Sequence, residues 1–242
     1  MSNAAQIYLK AAQDLLSAAA QTQSDAILRA AALCTEAIAR GGVIYIFGTG
    51  HSHLMAEEGH FRAGGLACVV PILSTTVMVH EGAIASTRME RMSGLADVIL
   101  ARYPLGADDA LFVFSTSGVN AVPVEAARYA RTQGPPVIGV TSLAYSTAAA
   151  NGRQRLADVS DVVIDSGAPA GDAVVPIDDE VSAGPVSTLL GAAMLNAVLV
   201  QAAADLAERG LEAPVYRSAN MPGANEHNRR LVERYRARNP HL

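Results

Sequence analysis

The feature that most constrains this chain is an apolar segment that runs directly into hydroxyl residues and a glycine, over residues 111–120 (LFVFSTSGVN). The apolar half predicts a buried strand, and a helical pattern from Val122 to Thr132 follows it. A buried parallel strand points its carboxyl end at the start of the next helix. The free N–H groups and the positive dipole end of that helix favour an anion. We therefore expect an anion site where this strand ends.

The residues of this junction suit close contact with an anion. Ser115, Thr116, Ser117 and Asn120 offer side-chain hydrogen bonds, and Gly118 lets the backbone come close. The simpler alternative is that these hydroxyls only cap the following helix. Three consecutive hydroxyl residues exceed what one cap needs, so the junction favours a phosphate.

A second junction of the same kind lies upstream. The segment from Val43 to Phe47 runs into residues 48–52 (GTGHS), and a helical pattern over 52–61 follows. Gly50, His51 and Ser52 are candidate phosphate contacts, with a plain N-cap as the alternative for Ser52. Two such junctions predict a phosphate ester held between them.

Strands and helices alternate along the chain. Two helices are predicted in residues 3–40, the second capped by Ser24, and a mostly helical segment in residues 87–102. The predicted strands are 43–47, 67–73, 110–114, 137–140 and 161–164. Residues 166–184 are predicted to be mostly irregular, with a short strand at 174–175. A long apolar helix should start near Pro185, and a charged helix should span 225–238.

This alternation predicts an α/β fold with a five-stranded parallel, doubly wound sheet and helices on both faces. No linker stands out, so residues 1–242 are predicted to form one domain. Its parts would be a helical extension (1–40), an α/β core (41–209) and a C-terminal loop and helix (210–242).

Composition argues against several classes of protein. Half of the 242 residues are hydrophobic, which allows a substantial core. The net charge of −5 and the lack of tryptophan argue against a nucleic-acid surface.

Cys34 and Cys68 both occur in apolar patterns, which predicts reduced core thiols. The most apolar segment, 186–207, contains Asn196, Gln201 and Asp205, so we expect a core helix and no membrane contact. The polar start lacks a signal-peptide pattern, which favours the cytoplasm.

Several motifs can be rejected. Gly48-Thr49-Gly50 begins like a dinucleotide fingerprint, but His53 stands where the third glycine belongs. Neither a P-loop nor a Gly-x-Ser-x-Gly elbow occurs.

The only lysine, Lys10, is far from both junctions, which argues against a Schiff base. His51, His53 and Glu57 lack a further well-spaced ligand, so neither a metal nor another cofactor is predicted.

The order of elements and the Ser115-Thr116-Ser117-Gly118 loop resemble the sugar isomerase (SIS) domain family over residues 40–205. The chain length and the Asn-Glu-His-Asn sequence near the end also resemble a bacterial subgroup of SIS proteins for which the resemblance supplies no reaction. The family includes phosphosugar isomerases and an etherase, with a flavodoxin-like sheet. The resemblance implies that Ser52, Ser115, Ser117 and Asn120 hold a sugar phosphate, although the family usually has Ser or Thr at the place of Asn120.

The proton-transfer candidates are glutamates and histidines. His80 and Glu81 lie in a loop expected at the carboxyl edge of the sheet, where open α/β folds bind ligands, with a surface pair as the alternative. The family resemblance implies a catalytic glutamate on or just after the helix that follows Ser52. Glu57 and Glu58 are the candidates for this role. The alternative is that both carboxylates are only solvated. It also implies a late histidine, often from a neighbouring subunit. His227 fits, and the alternative is a helix-capping arrangement with Asn225 as the N-cap.

These observations predict a phosphosugar isomerase or lyase that uses acid–base chemistry, with Glu81 as the base. The alternative is a non-catalytic phosphosugar sensor. Residues 3–40 and 186–207 supply more apolar helical face than one sheet needs, which predicts a homodimer or larger homo-oligomer.

Overall fold

A five-stranded parallel sheet lies at the centre of the protein, in a computed structural model that describes residues 3–242. The strands are β1 (Ile44–Gly48), β2 (Val69–Pro71), β3 (Ala110–Phe114), β4 (Val137–Thr141) and β5 (Val162–Asp165). Their order is β2-β1-β3-β4-β5, and every neighbouring pair is parallel. This is the flavodoxin-like order, and it confirms the predicted fold class.

The helices follow the strands in the predicted alternation. They are α1 (Ala4–Thr22), α2 (Ser24–Ala39), α3 (Leu54–Gly59), α4 (Ala83–Met89), α5 (Leu95–Leu100), α6 (Ala121–Gln133), α7 (Leu143–Ala149), α8 (Ser187–Glu208) and α9 (Ala224–Tyr235). Short 3₁₀ turns lie at Gly50–His53, Thr75–Val77 and Leu156–Val159. β1 and β3, which precede the two junctions, are buried throughout because both faces of the sheet are covered.

The apolar helix α8 is a core helix of the fold. Among residues 3–242 it is the one helix with the length and composition of a membrane span. One side of it, including Leu195, Val198 and Ala202, is buried, and it packs against α2 and α3. Cys34 and Cys68 are unpaired and buried in the same core, as predicted, and burial raises the pKa of Cys68 to about 12.

The single helical segment predicted over residues 87–102 is wrong. The structure has two short helices, α4 and α5, separated at Gly94, which takes a φ of 84°. The backbone N–H of Gly94 donates to Glu125 Oε2 at 2.7 Å. The side chain of Glu125, a residue of α6, therefore caps the start of α5.

The short strand predicted at residues 174–175 is part of a hairpin. Strand β6 (Ala173–Pro176) pairs antiparallel with β7 (Ser182–Pro185), which the sequence pattern did not predict. The Tyr8 hydroxyl of α1 donates to the Pro185 carbonyl at 2.9 Å, and Gly184 leaves room for the Tyr8 ring.

Two predicted caps also differ. Ser24 is the first residue of α2 rather than its N-cap, which is Gln23. The Gln23 side chain instead accepts a hydrogen bond from the Asp165 N–H at 2.9 Å. Likewise Gly223, not Asn225, precedes α9, where its φ of 74° suits a residue without a side chain.

A charged contact joins the end of the chain to the amino-terminal edge of the sheet. Arg238 Nη2 donates to both carboxylate oxygens of Asp109, at 2.9 and 2.8 Å. Asp109 in turn accepts from the Val43 N–H at 2.9 Å and the Gly106 N–H at 2.8 Å. This contact, the Arg238–Asp109 clamp, lies at the opposite edge of the sheet from the loops that follow β1 and β3.

Candidate functional site

The two predicted junctions meet at one cavity of about 610 Å³ at the carboxyl ends of the strands. The β1 loop contributes Thr49, Gly50, His51 and Ser52, and the β3 loop contributes Ser115, Thr116, Ser117, Val119 and Asn120. The remaining lining residues are Val79, Ala83, Thr87, Glu90, Arg91, Tyr145, Ala149, Arg153, Asp172 and Ser187. Seven of the eight predicted phosphate contacts therefore face one space, and the eighth, Gly118, lies buried in the β3 loop.

Backbone hydrogen bonds hold the β3 loop from both sides. Gly118 N donates to Ser115 Oγ at 3.2 Å, and Gly118 O accepts from Leu156 N at 2.8 Å. Thr116 O accepts from Ser142 N at 3.0 Å and from Thr141 Oγ1 at 3.2 Å. Two neighbouring segments, at residues 141–142 and at Leu156, thus fix the shape of the loop.

Gly118 is required by both conformation and space. Its φ is 63°, in the left-handed region that favours glycine. A Cβ at this position would lie 2.6 Å from Thr141 Oγ1 and 3.0 Å from Ser146 Oγ. Any side chain at position 118 would push the β3 loop out of place.

The β1 loop is built differently. It forms a 3₁₀ turn over Gly50–His53 and leads into the short helix α3. Gly50 has a φ of 56°, and His53 is buried with its Nδ1 hydrogen-bonded to the Gly50 carbonyl. His51 is exposed at the cavity, and Ser52 is partly buried.

Four polar side chains in the cavity have unused hydrogen-bonding capacity. Within residues 3–242, the hydroxyls of Ser52, Thr116 and Ser117 and the amide of Asn120 make no side-chain hydrogen bond to protein. They converge where the 13-residue helix α6 begins, so its positive dipole end adds to the attraction for an anion.

Glu90 brings a carboxylate to the cavity and connects three segments. Its Oε2 accepts from Thr49 Oγ1 at 2.7 Å, and its backbone carbonyl accepts from Val122 N at 3.0 Å. Its side chain is only 14% exposed and lies 3.6 Å from Arg91. Glu90 therefore joins the end of α4 to the β1 loop and to α6.

Asp172 is the second carboxylate in the cavity lining. It accepts hydrogen bonds from Val186 N at 3.1 Å, Ser187 N at 2.7 Å and Ser187 Oγ at 2.5 Å. These contacts cap the first turn of α8, so the role that the structure assigns to this carboxylate is to position the helix.

The five predicted proton-transfer residues lie outside the set of described residues that line the cavity. Glu57 is half exposed and lies 3.5 Å from His53 Nε2, whereas Glu58 pairs with Arg62 and accepts from Asn196 at 2.9 Å. His80 and Glu81 are exposed in the turn before α4.

His227 has different surroundings from the other four candidates. Its Nε2 lies 2.9 Å from the Val215 carbonyl, and it lines a separate cavity of about 500 Å³ beside α9. The catalytic roles of all five residues stay predictions.

Sequence reasoning missed Glu90, Arg91, Arg153 and Asp172. The one available signal was Gly94, which marks a helix break and would have placed Glu90 near a helix end. In the described part of the chain, no group of three or more His, Cys, Asp or Glu is arranged to hold a metal ion.

The fold and the cavity together define a class of α/β protein with hydroxyl-rich loops at the carboxyl edge of a parallel sheet. The sequence profile described as SIS domain matches residues 7–142. The chain therefore belongs to the SIS domain family, as the resemblance indicated.

Relatives of similar length share most of this sequence. A UPF0309 protein of Brucella anthropi is 53% identical over 220 residues, which cover 90% of each chain. A UPF0309 protein of Brucella canis is 56% identical over 200 residues, which cover 82% of each chain.

Solved structures with this fold include a phosphoheptose isomerase from Francisella tularensis, with a TM-score of 0.56 and 16% identity over 84% of this chain and 98% of that one. The phosphoheptose isomerase of Neisseria gonorrhoeae has a TM-score of 0.53 and 18% identity, covering 81% and 95% of the two chains. The sugar isomerase domain of an RpiR transcription factor from Sphaerobacter thermophilus has a TM-score of 0.50 and 19% identity, covering 95% and 97%. At these identities the likeness shows the fold.

Proposed function

We propose that this protein binds a sugar phosphate in the 610 Å³ cavity and converts it as an isomerase or lyase. The observation that carries the proposal is the convergence of four uncommitted polar side chains, Ser52, Thr116, Ser117 and Asn120, at the start of α6. A phosphate has the oxygen acceptors for several of these donors, and the helix end favours its charge. The cavity leaves room beyond the loops for the sugar.

Both reactions begin with removal of a proton next to a carbonyl or latent carbonyl, which requires a positioned base. The sequence prediction assigns this base to Glu81. The placement of Glu90 on the cavity wall supports it as a second candidate, because a base must come within hydrogen-bond reach of the proton that it removes. Exposed His51, on the same wall, is available to move a proton to or from a sugar oxygen.

The test is turnover of a panel of aldose and ketose phosphates by the wild type and by Glu81→Gln, Glu58→Gln and Glu90→Gln. A general base contributes on the order of 10²–10⁴ in rate, and glutamine keeps the shape without accepting the proton. Loss of turnover in Glu81→Gln alone would support Glu81 as the base. Loss of turnover in Glu90→Gln alone would instead assign the base to Glu90, just after α4. Full activity in all three variants rejects carboxylate acid–base catalysis.

A non-catalytic sensor is the second candidate function. The carboxylates that line the cavity, Glu90 and Asp172, are both hydrogen-bonded to protein groups, an arrangement that also suits binding without reaction. Binding of a sugar phosphate without conversion by the wild type would favour the sensor.

We further propose a cytoplasmic homo-oligomer. Exposed apolar side chains lie on α1, α2 and α8, with Leu9 and Val200 each 66% exposed and Leu28 49% exposed. A second copy of the chain would cover this apolar surface. A monomeric mass by light scattering at micromolar concentration would reject the oligomer while leaving the sugar-phosphate proposal intact.

A further inference from the structure

A smaller cavity of about 280 Å³ adjoins the proposed sugar-phosphate cavity. The two share Arg91, Val119, Asn120 and Arg153 in their walls. They therefore form one continuous depression around the start of α6, and a ligand seated on the β3 loop has a path into the smaller space.

Guanidinium groups dominate the charge of the smaller cavity, which is lined by Arg91, Arg128 and Arg153. Two of these have carboxylate neighbours. Arg91 lies 3.6 Å from Glu90, and Arg128 lies 3.9 Å from Glu125. Glu125 also lines this cavity, so three guanidinium groups face one carboxylate there. Both carboxylates accept their hydrogen bonds from other groups, Glu90 from Thr49 and Glu125 from the Gly94 N–H, and not from these arginines.

Arg153 is the uncompensated charge in this wall. Among residues 3–242 it has no carboxylate partner within ion-pair distance. Its Nε donates to the Ala150 carbonyl at 3.1 Å and its Nη2 to the Ala149 carbonyl at 2.7 Å. These bonds orient the guanidinium against the end of α7, while Nη1 makes no hydrogen bond to the described protein.

We infer that the ligand carries a second anionic group, a carboxylate or a second phosphate, which Arg153 and Arg91 bind in the smaller cavity. This inference rests on the proposed function, because it takes the first phosphate to be held by the β3 loop. A planar guanidinium that is already oriented matches the oxygens of either group. A sugar whose single phosphate is held by the β3 loop would place no anion in the smaller cavity, which Arg153, an exposed side chain, also lines. The structure thus assigns a doubly anionic substrate class to this cavity.

Binding calorimetry with matched probes tests the inference. Glucitol 6-phosphate and 6-phosphogluconate are both open-chain and differ at C1, where the second has a carboxylate, and fructose 6-phosphate and fructose 1,6-bisphosphate differ by a phosphate. The wild type should bind a doubly anionic member of a pair at least about tenfold more tightly than its singly anionic partner. Preference within the first pair identifies a carboxylate, and preference within the second identifies a phosphate.

The decisive variant is Arg153→Gln, compared with Arg88→Gln. Arg88 lies on α4 outside both cavities, and its substitution removes the same charge. We expect Arg153→Gln to weaken the doubly anionic probe about tenfold or more and the singly anionic probe less than about threefold. Arg88→Gln should change neither beyond the small effect of net charge. Equal weakening of both probes by Arg153→Gln, or no weakening, would overturn the second anion site.

Ser117→Ala separates failure of the inference from failure of the proposed function. If this variant weakens all four probes while Arg153→Gln does not discriminate between them, the phosphate site stands and the second anion site falls. If none of the four probes binds the wild type at millimolar concentration, both are overturned.

Discussion

The two loops that face the cavity reach the same position by different means. The β3 loop is held by hydrogen bonds from two other segments, at Thr141 and Ser142 and at Leu156. The β1 loop relies on its own 3₁₀ turn, on the buried His53 ring against Gly50, and on the single contact between Thr49 and Glu90. The comparison teaches that one loop is a rigid part of the sheet edge, whereas the other depends on local geometry and one carboxylate.

The strongest test of this difference compares Gly118→Ala with Gly50→Ala. Both glycines have positive φ, so each substitution should cost about 1–2 kcal/mol in backbone strain. Only at Gly118 would the new Cβ also collide with neighbouring atoms, 2.6 Å from Thr141 Oγ1, whereas the nearest atom at Gly50 is 3.9 Å away. Overpacking should add about 1–3 kcal/mol. Urea unfolding measures the difference, and equal losses would mean that the β3 loop is not the more tightly held.

A second test concerns the affinity that each loop supplies. Ser117→Ala should weaken binding of the preferred sugar phosphate by roughly 1–3 kcal/mol, because it removes a hydrogen bond to a charged group. Ser52→Ala should cost less, because the β1 loop has fewer hydrogen bonds to other segments and can adjust around the lost hydroxyl. Calorimetry on both variants, with unfolding curves to verify the fold, decides between them. Unchanged affinity in Ser117→Ala would remove that hydroxyl from the site.

A smaller effect is expected at Thr141, which supports the β3 loop from behind. Thr141→Val removes the hydroxyl that donates to Thr116 O but leaves the bond from Ser142 N, so the protein should lose about 1 kcal/mol of stability. Thr35→Val is the matched control, because its buried hydroxyl donates to the Ala31 carbonyl within a helix. Sugar-phosphate affinity should fall in the Thr141 variant alone. A similar fall in both variants would indicate a general effect of stability.

The smallest effect is a pH dependence to which His60, in the segment after β1, contributes. His60 follows α3, and burial lowers its pKa, as does the positive charge of His241. The unfolded imidazole takes up a proton near its ordinary pKa of about 6.5 while the folded one resists it, so stability falls as the pH drops through that value. The β3 unit, residues 110–133, contains no histidine.

Urea midpoints at about pH 7.5 and pH 5.5 test this dependence. The drop between these conditions should be smaller in His60→Gln than in the wild type. An identical drop in the two proteins would place the pH dependence elsewhere.

The parts of the site that the sequence predicted are those encoded by neighbouring residues. Ser115 to Asn120 follow a buried strand directly, so strand direction alone brings their hydroxyls to the sheet edge. Glu90 and Arg153 reach the cavity through the packing of separate elements, which a local pattern does not contain.

Glu57 and Glu58 show that a sequence pattern does not by itself predict the direction of a side chain. An α-helix from Ser52 would have set the directions of Glu57 and Glu58 by a period of 3.6 residues. The 3₁₀ turn over Gly50–His53 has three residues per turn, so the positions that follow are rotated. Glu58 contacts Asn196 and Arg62 and is not among the residues that line the cavity.

The Arg238–Asp109 clamp has a consequence for synthesis on the ribosome. Domains fold progressively as the chain emerges, but the carboxylate that anchors the start of β1 has its charged partner 129 residues later in the sequence. Until Arg238 has left the exit tunnel, Asp109 would be an uncompensated buried charge at the edge of the sheet. Stalled chains that end before residue 238 should therefore remain more sensitive to protease than released protein, although all five strands of the sheet have already emerged.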